Sequence, residues 1–97
     1  MPRSISYHEE LIEALKDPLE AAPYIEVVLE EGDPKMLRKA LKNVIEARGG
    51  VALLSEQVKQ SYDKLDMLEE NGEIEFYCLS ALLDALGLQL AVTVKSM

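Results

Sequence analysis

Tryptophan is absent, phenylalanine occurs once (Phe76) and tyrosine four times, so rings supply only 5% of the 97 residues. A core organised around stacked aromatics is excluded; with 48% hydrophobic residues the interior has to be aliphatic. The single cysteine, Cys78, cannot close an intrachain disulfide and supplies no metal set, a usage that fits a reducing cytosol. The single histidine, His8, stands beside Glu9 and Glu10 without the further ligands that a three- or four-coordinate metal centre needs. No apolar run approaches the roughly 20 residues that cross a bilayer, and the start of the chain lacks the basic-then-apolar form of a signal peptide. The expected location is therefore cytoplasmic, with no membrane contact. A chain this short buries about 60 to 65% of the surface its unfolded form exposes, enough for one modest core and not for a second full domain.

Positive charge is scarce as well. Ten bases against eighteen acids leave a formal charge of −8, the wrong overall sign for an unaided approach to polyphosphate. The distribution is uneven. Residues 1–33 set Arg3 and Lys16 against nine acids, a balance of −7; residues 34–48 set Lys35, Arg38, Lys39, Lys42 and Arg48 against Glu46, a balance of +4; residues 56–75 come to −5. The chain is acidic, then basic, then acidic again.

What is present is helical periodicity punctuated by caps. Tyr7 to Lys16 places Leu11, Ile12 and Leu15 on one face, and Asp17-Pro18 ends that helix and can cap the next. Ile25, Val28 and Leu29 form the following stripe before Gly32. Pro23 must kink that element or restart it, which puts the more regular helix at 23–31. Asp33-Pro34 repeats the cap-then-proline device, and Met36, Leu37, Ala40, Leu41, Val44 and Ile45 give the cleanest 3,4 spacing in the chain up to Gly49-Gly50. A short helix over 51–59 with Val51, Leu54 and Val58 inward is expected next. Ser61 would then cap a second short helix carrying Tyr62, Leu65 and Leu68, ended by Asn71-Gly72. Phe76, Leu79, Leu82, Leu83 and Leu86 complete the helical pattern, with Gly87 as its left-handed exit. From Leu88 the period changes to two: Leu88, Leu90, Val92 and Val94 face one way and Gln89, Ala91, Thr93 and Lys95 the other. A lone strand in a helical chain has no internal partner, so homodimerisation through residues 88–94 is expected.

Little of this points to catalysis. Cys78 lies on an apolar helix and reads as a small core residue, and the acid pairs Glu9-Glu10, Glu30-Glu31 and Glu69-Glu70 read as solvated faces. Gly49-Gly50 follows a helix and lacks the lysine-serine or lysine-threonine partner of a phosphate loop. No cofactor, metal or catalytic residue is implied; a hydrolase would need a pocket near His8 or Cys78 that the sequence does not announce. Lys35, Arg38, Lys39 and Lys42 share much of one exposed helix face, open to phosphates, to an acidic partner or to solvent alone. The two short helices between Val51 and Leu68 stand at helix-turn-helix spacing, in which one helix supports another in the major groove. The reading segment, however, offers only Lys64 beside Asp63, Asp66, Glu69 and Glu70, so any DNA contact falls to Lys59, Gln60, Ser61, Tyr62 and Lys64 and is weak and salt-sensitive.

The stretch from Tyr24 through Leu29-Glu30-Glu31-Gly32-Asp33-Pro34, then Glu46-Ala47-Arg48-Gly49-Gly50, then Ala85-Leu86-Gly87-Leu88-Gln89-Leu90 resembles the addiction-module antidote family. The likeness covers most of residues 16–92. It implies the antitoxin half of a bacterial toxin-antitoxin pair: a small Cro/repressor-type helix-turn-helix protein that dimerises, binds its own promoter and neutralises a toxin. By this resemblance Val51 and Leu54 anchor the supporting helix, and Ser61, Tyr62 and Lys64 fall near the start of the recognition helix. The family's glycine-containing turn is replaced here by Val58-Lys59-Gln60-Ser61, one residue shorter, and acids follow it.

The expected fold is thus all-α: a five- to six-helix, lambda-repressor-like helix-turn-helix domain over 34–87, preceded by an acidic helical extension over 1–33 and followed by a dimerising strand and tail over 88–97. The expected role is an antitoxin-like, DNA-binding autoregulator that neutralises a partner toxin. Its candidate DNA contacts are Lys35, Arg38, Lys39, Lys59, Gln60, Ser61, Tyr62 and Lys64, and Leu88, Leu90, Val92 and Val94 are its candidate dimer contacts. The alternative is a protein-interaction module, or a diverged homologue without specific DNA binding, whose acidic first 33 residues meet a basic partner.

Overall fold

Asp17, Asp33 and Ser55 each start a helix by accepting a hydrogen bond from an otherwise orphaned backbone amide. In a computed structural model, which describes residues 7–67, 74–92 and 94, α1 spans Tyr7–Leu15 and α2 Pro18–Glu31. The remaining helices are α3, Pro34–Ala47, α4, Glu56–Asp66, and α5, Phe76–Ala85. Asp17 Oδ1 accepts from the Leu19 amide at 2.9 Å, and Asp33 Oδ1 accepts from the Lys35 amide at 3.0 Å, each with proline at the first helical position. The described part of the chain is all-α.

Three expectations need correcting. Pro23 neither restarts nor divides α2, which runs unbroken from Pro18. The amide it lacks would have bonded to the carbonyl of Leu19, an 82% exposed residue, while Ala21, Ile25 and Val28 hold the opposite face in the core. Residues 51–59 are not one helix: a 3₁₀ turn, Val51–Leu53, leads to Ser55, whose Oγ accepts from the Val58 amide at 3.3 Å, and residues 56–59 are the first turn of α4. Ser55, not Ser61, caps α4, because Val58, Tyr62 and Leu65 form one uninterrupted apolar row that places Ser61 in mid-helix. The expected pair of short helices is therefore one 3₁₀ turn and one α-helix. Lastly, residues 88–92 and 94 carry no strand. Leu88 and Leu90 pack on the core whereas Val92 and Val94 are fully exposed, and a strand needs a second strand that a single copy does not supply.

The exits from α3 and α5 share one device. Gly49 N–H bonds to the Glu46 carbonyl at 3.1 Å and Gly50 N–H to that of Ile45 at 2.9 Å; Gly87 N–H bonds to Asp84 at 3.0 Å and Leu88 N–H to Leu83 at 2.8 Å. Both are Schellman closures with glycine at positive φ, +111° at Gly49 and +77° at Gly87. The second turns Leu88 back onto the core beside Leu83.

α3 packs against α1 and α2, and α4 packs against α5. Leu15, Ile25, Val28, Leu41, Val44, Ile45, Leu65, Leu79, Leu82, Leu83 and Leu86 close one aliphatic cluster, so α1 and α2 contribute to the same interior as the helices after Asp33. Phe76, placed in the apolar row by its spacing, is instead 58% exposed and stands edge-on to Tyr77, with ring centroids 5.2 Å apart. Asn43 is the buried polar side chain among the described residues, and its Nδ2 donates to the Tyr24 hydroxyl at 3.0 Å, linking α3 to α2. Tyr24→Phe is expected to cost about 1–3 kcal/mol, because it strands the buried amide. Adding Asn43→Leu should recover most of that loss; urea denaturation of both variants checks the pair.

Candidate nucleic-acid interface

The basic group of α3 and the middle of α4 meet through Lys42. Its ammonium pairs with the Asp66 carboxylate near the end of α4 and lies 6.0 Å from the centroid of the Tyr62 ring, at the outer range of a cation–π contact. Sequence separation hid this arrangement, since 24 residues divide Lys42 from Asp66. The consequence is that Lys42 of α3 adjoins the Tyr62 and Asp66 side of α4.

That surface is less positive than its composition. Lys42 is neutralised by Asp66, and Lys59 stands 3.8 Å from Glu56 on its own helix. Arg48 leaves the face: it ends α3, and its Nε and Nη2 are buried without a hydrogen-bond partner among the described residues. Glu46, the acid counted against this group, faces His8 of α1 at 3.4 Å. Lys35 and Lys39 are exposed and Arg38 is half-buried, with its charge also acting on Asp66. On α4, Gln60 and Lys64 are exposed, whereas Ser61 and Tyr62 are half-buried in mid-helix, away from the start where the sequence placed them. Asp63 and Asp66 are exposed on the same helix.

Asp66 is held below the ordinary aspartate range, first by the hydrogen bond from Lys42 and then by the Lys42 charge; desolvation opposes these, and the Arg38 charge lowers it least. A carboxylate with a depressed folded pKa contributes stability that is fully present above its unfolded value of about 4. The contribution disappears as pH falls through the lower folded value. Thermal melts from pH 7 to pH 3 should therefore show a higher Tm for the native chain than for Asp66→Asn near neutrality, converging at the acid end. A difference that stays constant throughout would rule out the ion pair as its origin.

The other sequence candidates stay apart from this surface. Cys78 is buried on α5 with its thiol 3.5 Å from a Glu75 carboxylate oxygen, and His8 lies on α1. Among the described residues no group of three His, Cys, Asp or Glu side chains is placed to hold a metal ion, and no helix is long and apolar enough to cross a membrane. Sequence reasoning missed Asp66 as the acceptor for Lys42, which only the packed fold reveals, and Ser55 as the α4 cap, which the row Val58-Tyr62-Leu65 signalled. Comparison of the chain with models of known families, with curated proteins and with solved structures found no match.

Proposed function

We propose that this chain acts by binding rather than catalysis, as an antitoxin-like regulator that contacts promoter DNA and neutralises a partner toxin. The observation that carries the DNA half is the Lys42 bridge, which joins the basic row of α3 to the Tyr62 and Asp66 side of α4; Gln60 and Lys64 lie on the exposed side of that helix. Phosphate contact is its main chemistry, because lysine and arginine position a protein on the backbone while the acids of α4 oppose close base reading. The architecture attached to this reading is a repressor-type helical domain whose supporting helix is cut to a single 3₁₀ turn, paired with a second copy through residues 88–94. Fully exposed Val92 and Val94 support that pairing. Titration of the full chain against its upstream promoter at about 50 and 200 mM salt tests the reading. A specific shift at the lower salt that fades at the higher is expected, and no specific shift at either rejects DNA contact.

The second reading, a protein-interaction module, is favoured by the charge of α1 and α2, whose residues 7–31 hold eight acids and one lysine. Such a field steers a basic partner. Deletion of residues 1–33 is not a clean test, since Leu15, Ala21, Ile25 and Val28 belong to the core. Charge reversal at exposed Glu20, Glu26 and Glu30 is cleaner. Co-purification of the neighbouring gene product should be lost in that variant; unchanged capture removes α2 from the interface.

A further inference from the structure

An open groove of about 460 Å³ runs between α2 and the segment that follows Gly87. Its floor is apolar, made by Ile25, Leu29, Leu83, Leu88 and Leu90, and Glu26 stands in its wall. No lysine or arginine lines it among the described residues. The charge along α2 is of one sign: it carries Glu20, Glu26, Glu30 and Glu31 and no base, and Glu30 lies one turn beyond Glu26 on the same side of the helix. Exposed Leu19 and Val27 lie one turn to either side of Pro23 and extend the apolar surface along α2. An apolar floor favours the burial of aliphatic side chains, while an acidic rim selects against acidic segments and in favour of cationic ones.

We infer that this groove is a docking site for a basic amphipathic helix of another protein, with aliphatic residues at positions i, i+3 or i+4, and i+7 lying on the floor and lysine or arginine meeting Glu26 and Glu30. The inference rests on the protein-binding half of the reading above and narrows it to one place. It is separate from the α3–α4 surface, which has the opposite charge. Small apolar molecules fit the floor but not the rim. A second copy brings its own acidic α2, so like charge opposes seating its α2 in this groove, whereas the pairing proposed above uses the exposed Val92 and Val94 beyond the groove's lining.

The test uses the full chain and a labelled synthetic peptide about four helical turns long, with leucine at the anchor positions and lysine elsewhere, followed by fluorescence anisotropy. A matched peptide with glutamate in place of lysine is the control. The lysine peptide is expected to bind and the glutamate peptide is not. Glu26→Lys should weaken binding about tenfold, whereas Asp63→Lys, an equal charge change on α4, should alter it less than about twofold. Ala22→Trp, at an exposed lining position, should weaken binding more than about tenfold by filling the groove, with circular dichroism confirming retention of the fold. Equal binding of the two peptides, equal effects of Glu26→Lys and Asp63→Lys, or no effect of Ala22→Trp would each overturn the assignment. So would a dimer whose formation excludes the peptide, because the occupant is then a second copy. If Ala22→Trp still captures the neighbouring gene product, the antitoxin reading stands without this groove; if the native chain captures none, that reading fails and the peptide alone decides the groove.

Discussion

Leu41→Ala is expected to cost about 3 kcal/mol, within the 2–5 kcal/mol range of leucine truncations that leave a partly collapsed cavity. Leu41 is completely buried on α3, the helix that packs against both α1 and α2, so the lost methyl groups withdraw contacts from several elements together. For a chain of this size the total stability is on the order of 5–15 kcal/mol, so one truncation removes a large share. The corresponding fall in Tm is roughly 12–24 °C. Leu19→Ala is the matched control, because Leu19 is 82% exposed and the same chemical change there should stay within about 0.5 kcal/mol. Urea denaturation and calorimetry on the two variants measure the contrast. Similar losses at both positions would show that the buried cluster does not have its centre on α3.

The parts of this fold legible in the sequence are those decided within a few residues. Asp17-Pro18 and Asp33-Pro34 each unite a capping carboxylate with a proline whose missing amide costs nothing at the first helical position, and both start helices where that chemistry places them. Gly49-Gly50 and Leu86-Gly87 mark closures for the same local reason. Pro23 shows where local reasoning stops. Its intrinsic effect argues for a break, but Ala21, Ile25 and Val28 gain more by remaining on one continuous buried face. The segment after Gly50 differs in another way: the sequence reading puts the cap at Ser61, whereas the apolar row Val58-Tyr62-Leu65 makes one helix that starts behind Ser55. The tail is a third case. Its alternation is real in the sequence, yet a period-two pattern specifies a strand only where a partner strand exists, and this copy holds just Leu88 and Leu90 against its own core.

For the candidate site the sequence places Lys35, Arg38, Lys39 and Lys42 on one helix, as α3 has them, but does not show how their side chains are engaged. Three nonlocal outcomes decided that. Lys42 turned to Asp66, Arg48 drew part of its guanidinium inward at the end of α3, and Glu46 turned to His8. None of these has a signature within one helix turn, because each depends on how α1, α3 and α4 pack. The acidic character of α4, by contrast, was visible from the start, and packing leaves Asp63 and Asp66 exposed.

The α3 row makes the DNA half of the proposal quantitative. If Lys35, Arg38 and Lys39 each neutralise one phosphate, counterion release gives them a combined slope of about −2.7 in log K against log salt. A fourfold rise in salt then weakens the native chain about 40-fold through these contacts, and the triple variant Lys35→Gln, Arg38→Gln, Lys39→Gln should lose that dependence. Lys42→Gln should behave differently. Its ammonium is already paired with Asp66, so its removal leaves the slope nearly unchanged and lowers the Tm at neutral pH instead. Lys64→Gln, on the exposed side of α4, should reduce the slope by about one if α4 follows the backbone alongside α3, and by nothing if α3 acts alone. Fluorescence anisotropy with the promoter duplex across a salt series distinguishes these cases. A triple variant that keeps the full slope would remove α3 from the interface, and DNA contact would then have no remaining basic row to carry it.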